Sequence, residues 1–229
     1  MEKAIVLVSG GMDSAVTLYK AKQENECFAL VFSYGQKATR EIDSALSVAK
    51  SAGVPCTVLD ISLPWKGSAL LDVDSVIPEY SASADGEIPV TYVPARNILF
   101  LSYAVSYAEA IGAGSVFIGA HQLDFSNYPD CREVFFDSYR NMVSKGTRMG
   151  AEGRPVEIVT PIINMTKKQI VEEGVRLGVP FGETWSCYSQ GETPCGKCES
   201  CMFRSRAFQE AGVPDPFYIK TKQDQSIAG

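Results

Sequence analysis

Four of the chain's seven cysteines, Cys187, Cys195, Cys198 and Cys201, are spaced C-x7-C-x2-C-x2-C. A disulfide framework spreads its cysteines along a chain, whereas a tight cluster more often binds metal. Zinc takes four thiolates in a tetrahedron at about 2.3 Å. The two x2 spacings let consecutive cysteines wrap one ion, Gly196 allows the turn between them, and Cys187 closes the site from the preceding loop. Four protein ligands leave no open position, so the expectation is one structural Zn²⁺ per chain. An iron–sulfur cluster would use the same ligands, but nothing else in the sequence suggests electron transfer. Cys27 and Cys56 lie in strand-like runs and read as core packing.

A second constellation is Ser9-Gly10-Gly11-Met12-Asp13-Ser14, between an apolar β-branched run and a helical one. Adjacent glycines allow positive φ and close approach of a ligand to the backbone. The amides that follow point outward, and a helix N-terminus adds about half a positive charge. With the hydroxyls of Ser9 and Ser14, this is a cradle for an oxyanion. It has neither the spacing and lysine of G-x-x-x-x-G-K-[ST] nor the pattern G-x-G-x-x-G. Asp13 is unexpected in such a cradle unless it orients a metal or an amide. Arg96, in Tyr92-Val93-Pro94-Ala95-Arg96-Asn97, falls in the first turn of a helix. There it opposes the macrodipole and suggests an anionic partner. Residues 119–132 are polar where a fold does not require it, and they contain His121, the sole histidine.

These residues need a frame. Strands are expected at residues 4–8, 27–32, 55–61, 115–120 and 156–159. Helices are expected at 13–22, 37–52, 95–113, 132–149, 166–177 and about 201–211, with Asn164 or Thr166 capping the fifth. Residues 62–92, rich in proline, glycine and serine, form a long excursion that reads equally as a lid or as a surface insertion. Alternation of this kind predicts an α/β, doubly wound, mostly parallel five-stranded sheet with helices on both faces. Ligands then bind at the carboxyl ends of the strands, where the winding reverses. Both the Ser9 loop and residues 119–132 leave such ends. The expected division is a main domain over 1–180 and a small C-terminal zinc-binding helical subdomain with a tail over 181–229.

Composition narrows the partners. The 229 residues are 45% apolar and 21% charged, which excludes a disordered or fibrous chain. No run is long enough to span a membrane, and no secretory core opens the sequence, so a cytoplasmic protein is expected. Twenty-one basic against twenty-seven acidic residues give a charge of −6, which favours a small-molecule substrate over a nucleic acid.

The S-G-G-x-D-S loop after the first strand resembles the pyrophosphate-binding loop (PP-loop) of the N-type ATP pyrophosphatases, whose fold is adenine nucleotide alpha hydrolase-like. Four features in order are similar to the 7-cyano-7-deazaguanine synthases of the queuosine precursor pathway. They are the loop, V-P-A-R-N, D-F-S-x-Y-P-D-C-R and the four C-terminal cysteines, together covering about residues 3–211. Asn127 stands where that family is expected to have glycine, and His121-Gln122 occupy positions that vary in it. The resemblance implies an ATP-dependent C–N ligase that converts 7-carboxy-7-deazaguanine and ammonia to the nitrile. An adenylated acid and then an adenylated amide would be intermediates, with Mg²⁺ bridging the ATP phosphates; a homodimer is also implied. It implies nucleotide contacts at Val8, Ser9, Gly10, Gly11, Met12, Asp13, Ser14 and Leu18. Catalytic roles fall to Asp13, Ser14, Arg96, Asp124 and Lys167, and substrate contacts to Phe125, Tyr128, Asp130 and Arg132. Asp124 and Asp130 would hold the base edge or Mg²⁺, Phe125 and Tyr128 would stack on the base, and Arg132 would pair with a carboxylate or phosphate.

Three rivals stand beside this reading. A PP-loop enzyme that thiolates tRNA would need a nucleophilic cysteine, and Cys131 is the plausible one. A paralogue could transfer the deazaguanine to another acceptor. A non-enzymatic zinc-ribbon module would bind nucleic acid with steep salt dependence.

Overall fold

The computed structural model describes residues 1–65, 67–80, 87–121, 128–189 and 191–218. Strand β1 (Glu2–Leu7) shows how the layers form. Side chains alternate across a strand, so Ala4, Val6 and Val8 face one core while Ile5 and Leu7 face the other. After it come helix α1 (Met12–Ala21), β2 (Asn25–Ser33), α2 (Arg40–Ala52) and β3 (Cys56–Asp60). Gly53 ends α2 in the left-handed region, at φ 68°. Next are α3 (Arg96–Ile111), β4 (Ser115–Phe117), α4 (Glu133–Gly146), α5 (Arg148–Ala151) and β5 (Glu157–Val159). The described chain closes with α6 (Lys167–Leu177) and α7 (Glu199–Ala211).

The five strands are all parallel, in the order β3-β2-β1-β4-β5. On one face, α1, α2, α6 and α7 bury Val16, Val48, Ile170 and Phe208 against Ala4 and Val6. On the other, α3 and α4 bury Leu101, Val105, Phe136 and Val143 against Ile5 and Leu7. Each such side chain stabilises the fold by about 1.5–3 kcal/mol. Cys27 is buried in the first of these cores and Cys56 packs against it, as expected of packing residues. Winding reverses between β1 and β4, so the crevice at their carboxyl ends is the switch point.

Several boundaries differ from expectation, among them the start of α2 at Arg40 rather than residue 37 and of β2 at Asn25 rather than residue 27. The helix expected over 132–149 divides, because Thr147 is extended (φ −120°, ψ 159°) and caps α5 by accepting from the Gly150 N–H at 3.0 Å. Strand β4 stops at Phe117 rather than reaching residue 120. Helix α7 starts two residues early, on a Cys198 N-cap. Between the two caps considered for α6, Thr166 is the one used: it exchanges hydrogen bonds with Gln169 in a capping box. The excursion after β3 runs against the cysteine segment. Glu79 forms an antiparallel bridge with Cys198, and the Tyr80 N–H donates to the Lys197 carbonyl at 2.9 Å.

Candidate active site

The Ser9 loop is built from its own side chains. The Ser14 hydroxyl donates to the Gly11 carbonyl at 3.0 Å and accepts from the Ser9 N–H at 3.1 Å and the Ser9 hydroxyl at 3.2 Å. Gly10 has φ +86°, and a Cβ there would meet the Glu41 carbonyl oxygen at 2.2 Å. Only glycine lets the loop turn while α2 rests against it. Gly119, after β4, is also constrained, though less: a Cβ would lie 3.0 Å from the Asp13 backbone. That absence of a side chain brings the end of β4 onto the first turn of α1.

Three elements converge there. Asp13 opens α1, Lys167 is the first residue of α6, and His121 follows β4. Lys167 Nζ donates to Asp13 Oδ2 at 2.7 Å, His121 Nε2 lies 3.3 Å from the same oxygen, and Lys167 Nζ contacts His121 Nε2. Burial alone would raise the Asp13 carboxyl, but Lys167 and His121 outweigh it and hold the group well below the usual carboxylate range. Asp13 is therefore ionised throughout the neutral range. Its Oδ1 is buried with no hydrogen-bond partner among the described residues, a hard oxygen suited to a cation or an N–H donor.

The loop opens into a cavity of about 280 Å³. Val8, Ser9, Gly11, Met12, Asp13 and Ser14 line it on one side, with Arg96, Tyr128, Cys131 and Lys167 also on its wall. Arg96 Nη1 donates to the Tyr34 hydroxyl at 3.4 Å. The preceding residue, Ala95, is the sole non-glycine residue with positive φ (57°) among the described residues. The Tyr92 hydroxyl accepts from the Ala95 N–H at 3.0 Å and holds that conformation. A strained residue beside a cavity-lining arginine is the kind of feature that clusters at functional sites. Tyr128 shares a hydrogen bond of 2.7 Å with Thr91.

Other residues singled out in the sequence stand elsewhere. Asp130 is buried and its Oδ2 accepts from the Asn97 N–H at 3.0 Å, so it secures the start of α3. Arg132 is exposed and Leu18 is wholly buried in the core behind the loop. Asp124 and Phe125 lie outside the described residues. Glu41 on the cavity wall was not singled out: at the start of an amphipathic helix it looks like an ordinary first-turn acid, and no local signal separates it.

The four cysteines meet as their spacing demands. Their sulfurs all lie within 4.8 Å of one another, and Cys195 Sγ is 4.0 Å from Cys201 Sγ. A zinc tetrathiolate needs sulfurs about 3.8 Å apart, so the set fits such an ion. Cys187 is held well below the ordinary thiol range, first by the Cys198 and Cys201 thiols directed at it. The backbone N–H groups of Ser189 and Cys195 add to this, each at 3.3 Å. The box is tied to the loop: the Trp185 N–H donates to the Gly10 carbonyl at 2.9 Å, and the Trp185 indole donates to the Cys187 carbonyl at 2.7 Å. Arg204 on α7, buried, grips Asp215 in a bidentate pair at 2.6 and 2.8 Å and donates to Thr184 Oγ1 at 2.8 Å.

Residues 3–212 match the family described as queuosine biosynthesis protein QueC. A 7-cyano-7-deazaguanine synthase of Acaryochloris marina is 47% identical over 228 residues, covering 96% of this chain and all of that one. One from Thermosynechococcus vestitus is 48% identical over 220 residues, 94% of each chain. One from Legionella pneumophila is 46% identical over 222 residues, 94% of this chain and 96% of the relative.

Proposed function

Because the chain belongs to the queuosine biosynthesis protein QueC family, we propose that it makes 7-cyano-7-deazaguanine from 7-carboxy-7-deazaguanine, ammonia and two ATP. A carboxylate is a poor electrophile, so it must first gain a leaving group. Its oxygen attacks the α-phosphorus of ATP, the bond to the β-phosphate breaks, and pyrophosphate departs. Ammonia then attacks the acyl carbon and loses a proton, and AMP leaves to give the amide. The amide oxygen attacks the α-phosphorus of a second ATP, pyrophosphate departs and one N–H proton is lost; loss of AMP with the remaining N–H proton then gives the nitrile.

The observation that carries this reading is the join of loop and cation. Ser9, Gly11, Met12, Asp13 and Ser14 line the cavity beside Lys167, so the turn at the start of α1 and a positive charge stand together where charge grows on the departing pyrophosphate. Asp13 fixes Lys167 and offers Oδ1 to the Mg²⁺ that accompanies ATP. Arg96 faces the anionic end of the substrate, and the Tyr128 ring lies against its flat base. A zinc ion held by the four cysteines stiffens the segment that hydrogen-bonds to Gly10 and takes no part in the chemistry. The reaction is cytoplasmic, where thiolates remain reduced.

The thiolation reading asks for a nucleophilic Cys131. Burial, and then Asp130, push that thiol up to about 11, against the pull of Arg96 and Asn97. It is a neutral thiol at pH 7, which disfavours that role. Mass spectrometry of the small-molecule products tests the proposal: amide should accumulate first and nitrile later, in both wild type and Cys131→Ser. A wild-type protein that leaves the acid unchanged, or a Cys131→Ser variant that forms neither product, would contradict it.

A further inference from the structure

Glu41 lies on the cavity wall and has no part in the chemistry above. It is the second residue of α2, and its carbonyl fills the space beside Gly10, so the glycine loop and the Glu41 backbone are fixed to each other. Its carboxylate faces the same cavity as Arg96 and Tyr34. No described residue donates a hydrogen bond to it, and Arg96, close enough to act on it through space, donates to the Tyr34 hydroxyl instead.

The neighbouring carboxylates are differently placed. Asp13 is engaged by Lys167 and His121, and Asp130 by Asn97. Glu199 stands beside the phenols of Tyr128 and Tyr188. Burial pushes the Glu41 carboxyl up to about 7, with Arg96 opposing and Cys187 adding to the rise. Glu41 is half-buried, and a carboxylate partly withdrawn from water without a donor is costly. Such a group is useful where a ligand brings the donors.

Its two oxygens can accept two parallel N–H bonds, and a cation faces the cavity from another element. The complementary ligand is flat, has two adjacent N–H donors on one edge and is anionic at the other end. The 2-aminopyrimidinone edge of a 7-deazaguanine presents its ring N–H and exocyclic amine side by side, and the 7-carboxylate or its adenylate lies at the far end. Resting on the substrate reading above, we propose that Glu41 is the specificity-determining residue that accepts both N–H donors of that edge, while Arg96 faces the acid end. Selectivity then comes from the site itself, because a base lacking the amine leaves one carboxylate oxygen unpaired.

Calorimetric binding of 7-deazaguanine and 7-deazahypoxanthine, which lacks the exocyclic amine, tests this on the full chain with its metal. Wild type should prefer 7-deazaguanine by about 10- to 100-fold. Glu41→Gln should shrink that preference to about threefold or less and leave ATP affinity unchanged, which also reports that the variant is folded. Glu41→Asp withdraws the carboxylate by one methylene and keeps its charge. It should weaken 7-deazaguanine about tenfold, weaken 7-deazahypoxanthine by less, and spare ATP. The inference is overturned if both Glu41 variants keep the wild-type preference, if Glu199→Gln abolishes it instead, or if the Glu41 variants weaken ATP rather than the base. Wild type that binds neither base removes the substrate reading itself, whereas a preference that survives at position 41 removes only the role of Glu41.

Discussion

Asp13 gathers the charged groups at the mouth of the cavity, since one carboxylate oxygen meets both Lys167 and His121. Asp13→Asn keeps the shape and removes the charge that holds Lys167 against the loop. AMP release should fall by at least about 10²-fold, the scale of losing a preorganised charge partner, as read by coupled AMP assay. Glu41 makes a separate prediction about stability. Its carboxyl is raised from an ordinary 4.5 to about 7 by burial, with Arg96 pulling against the rise and the Cys187 thiolate adding to it. A raised acid binds its proton more tightly when folded, so its contribution is fully present below pH 4.5 and is lost as pH climbs through about 7. Denaturant unfolding should show Glu41→Gln gaining on wild type between pH 5 and 8, by on the order of 2 kcal/mol. The two residues also differ in how the sequence announces them. Asp13 stands in a motif whose neighbours make no sense as packing, and so do the four cysteines. Glu41 is marked only by what α2 rests against, which is tertiary. Lys167 was legible through the resemblance, but its pairing with Asp13 joins residues 154 positions apart, and no local pattern encodes that.

Elements carry these residues to the switch point through a few steric permissions. Gly10→Ala should be among the most damaging single-methyl changes, because the new Cβ would have to displace the Glu41 carbonyl and because φ +86° is unfavourable for alanine. A loss of about 2–4 kcal/mol in stability is expected, together with weakened ATP binding; thermal melting and calorimetry measure the two. Thr166→Ala removes the capping box of α6, should cost about 1 kcal/mol, and should impair turnover through Lys167, the residue that follows. Most of the elements were legible, since apolar alternation in β1 and the left-handed Gly53 after α2 are local signals. The break at Thr147 was not. Residues 132–149 keep helical spacing across it, and the turn is held by contacts with α3, where Glu109 Oε1 accepts from the Met149 N–H at 2.7 Å. The path of the excursion was also illegible: its bridge from Glu79 to Cys198 spans more than a hundred residues and follows no periodicity.

At the scale of the molecule, the four-cysteine box and the Ser9 loop are one mechanical unit. Trp185 hydrogen-bonds to Gly10 on one side and to Cys187 on the other, and Arg204 with Asp215 clamps α7 beneath them. Cys198→Ser should therefore abolish stoichiometric zinc, lower Tm by more than about 5 °C, and raise the Kd for ATP although none of the four box cysteines lines the cavity. Metal analysis, melting and calorimetry report these in turn, and an unchanged ATP affinity in the metal-free variant would separate the two sites. The account as a whole depends on where the leaving group goes. A crystal structure with ATP and magnesium decides it: the β- and γ-phosphates should lie against the amides and hydroxyls of residues 9–14 with Lys167 beside them, and a triphosphate bound away from that turn would contradict the account.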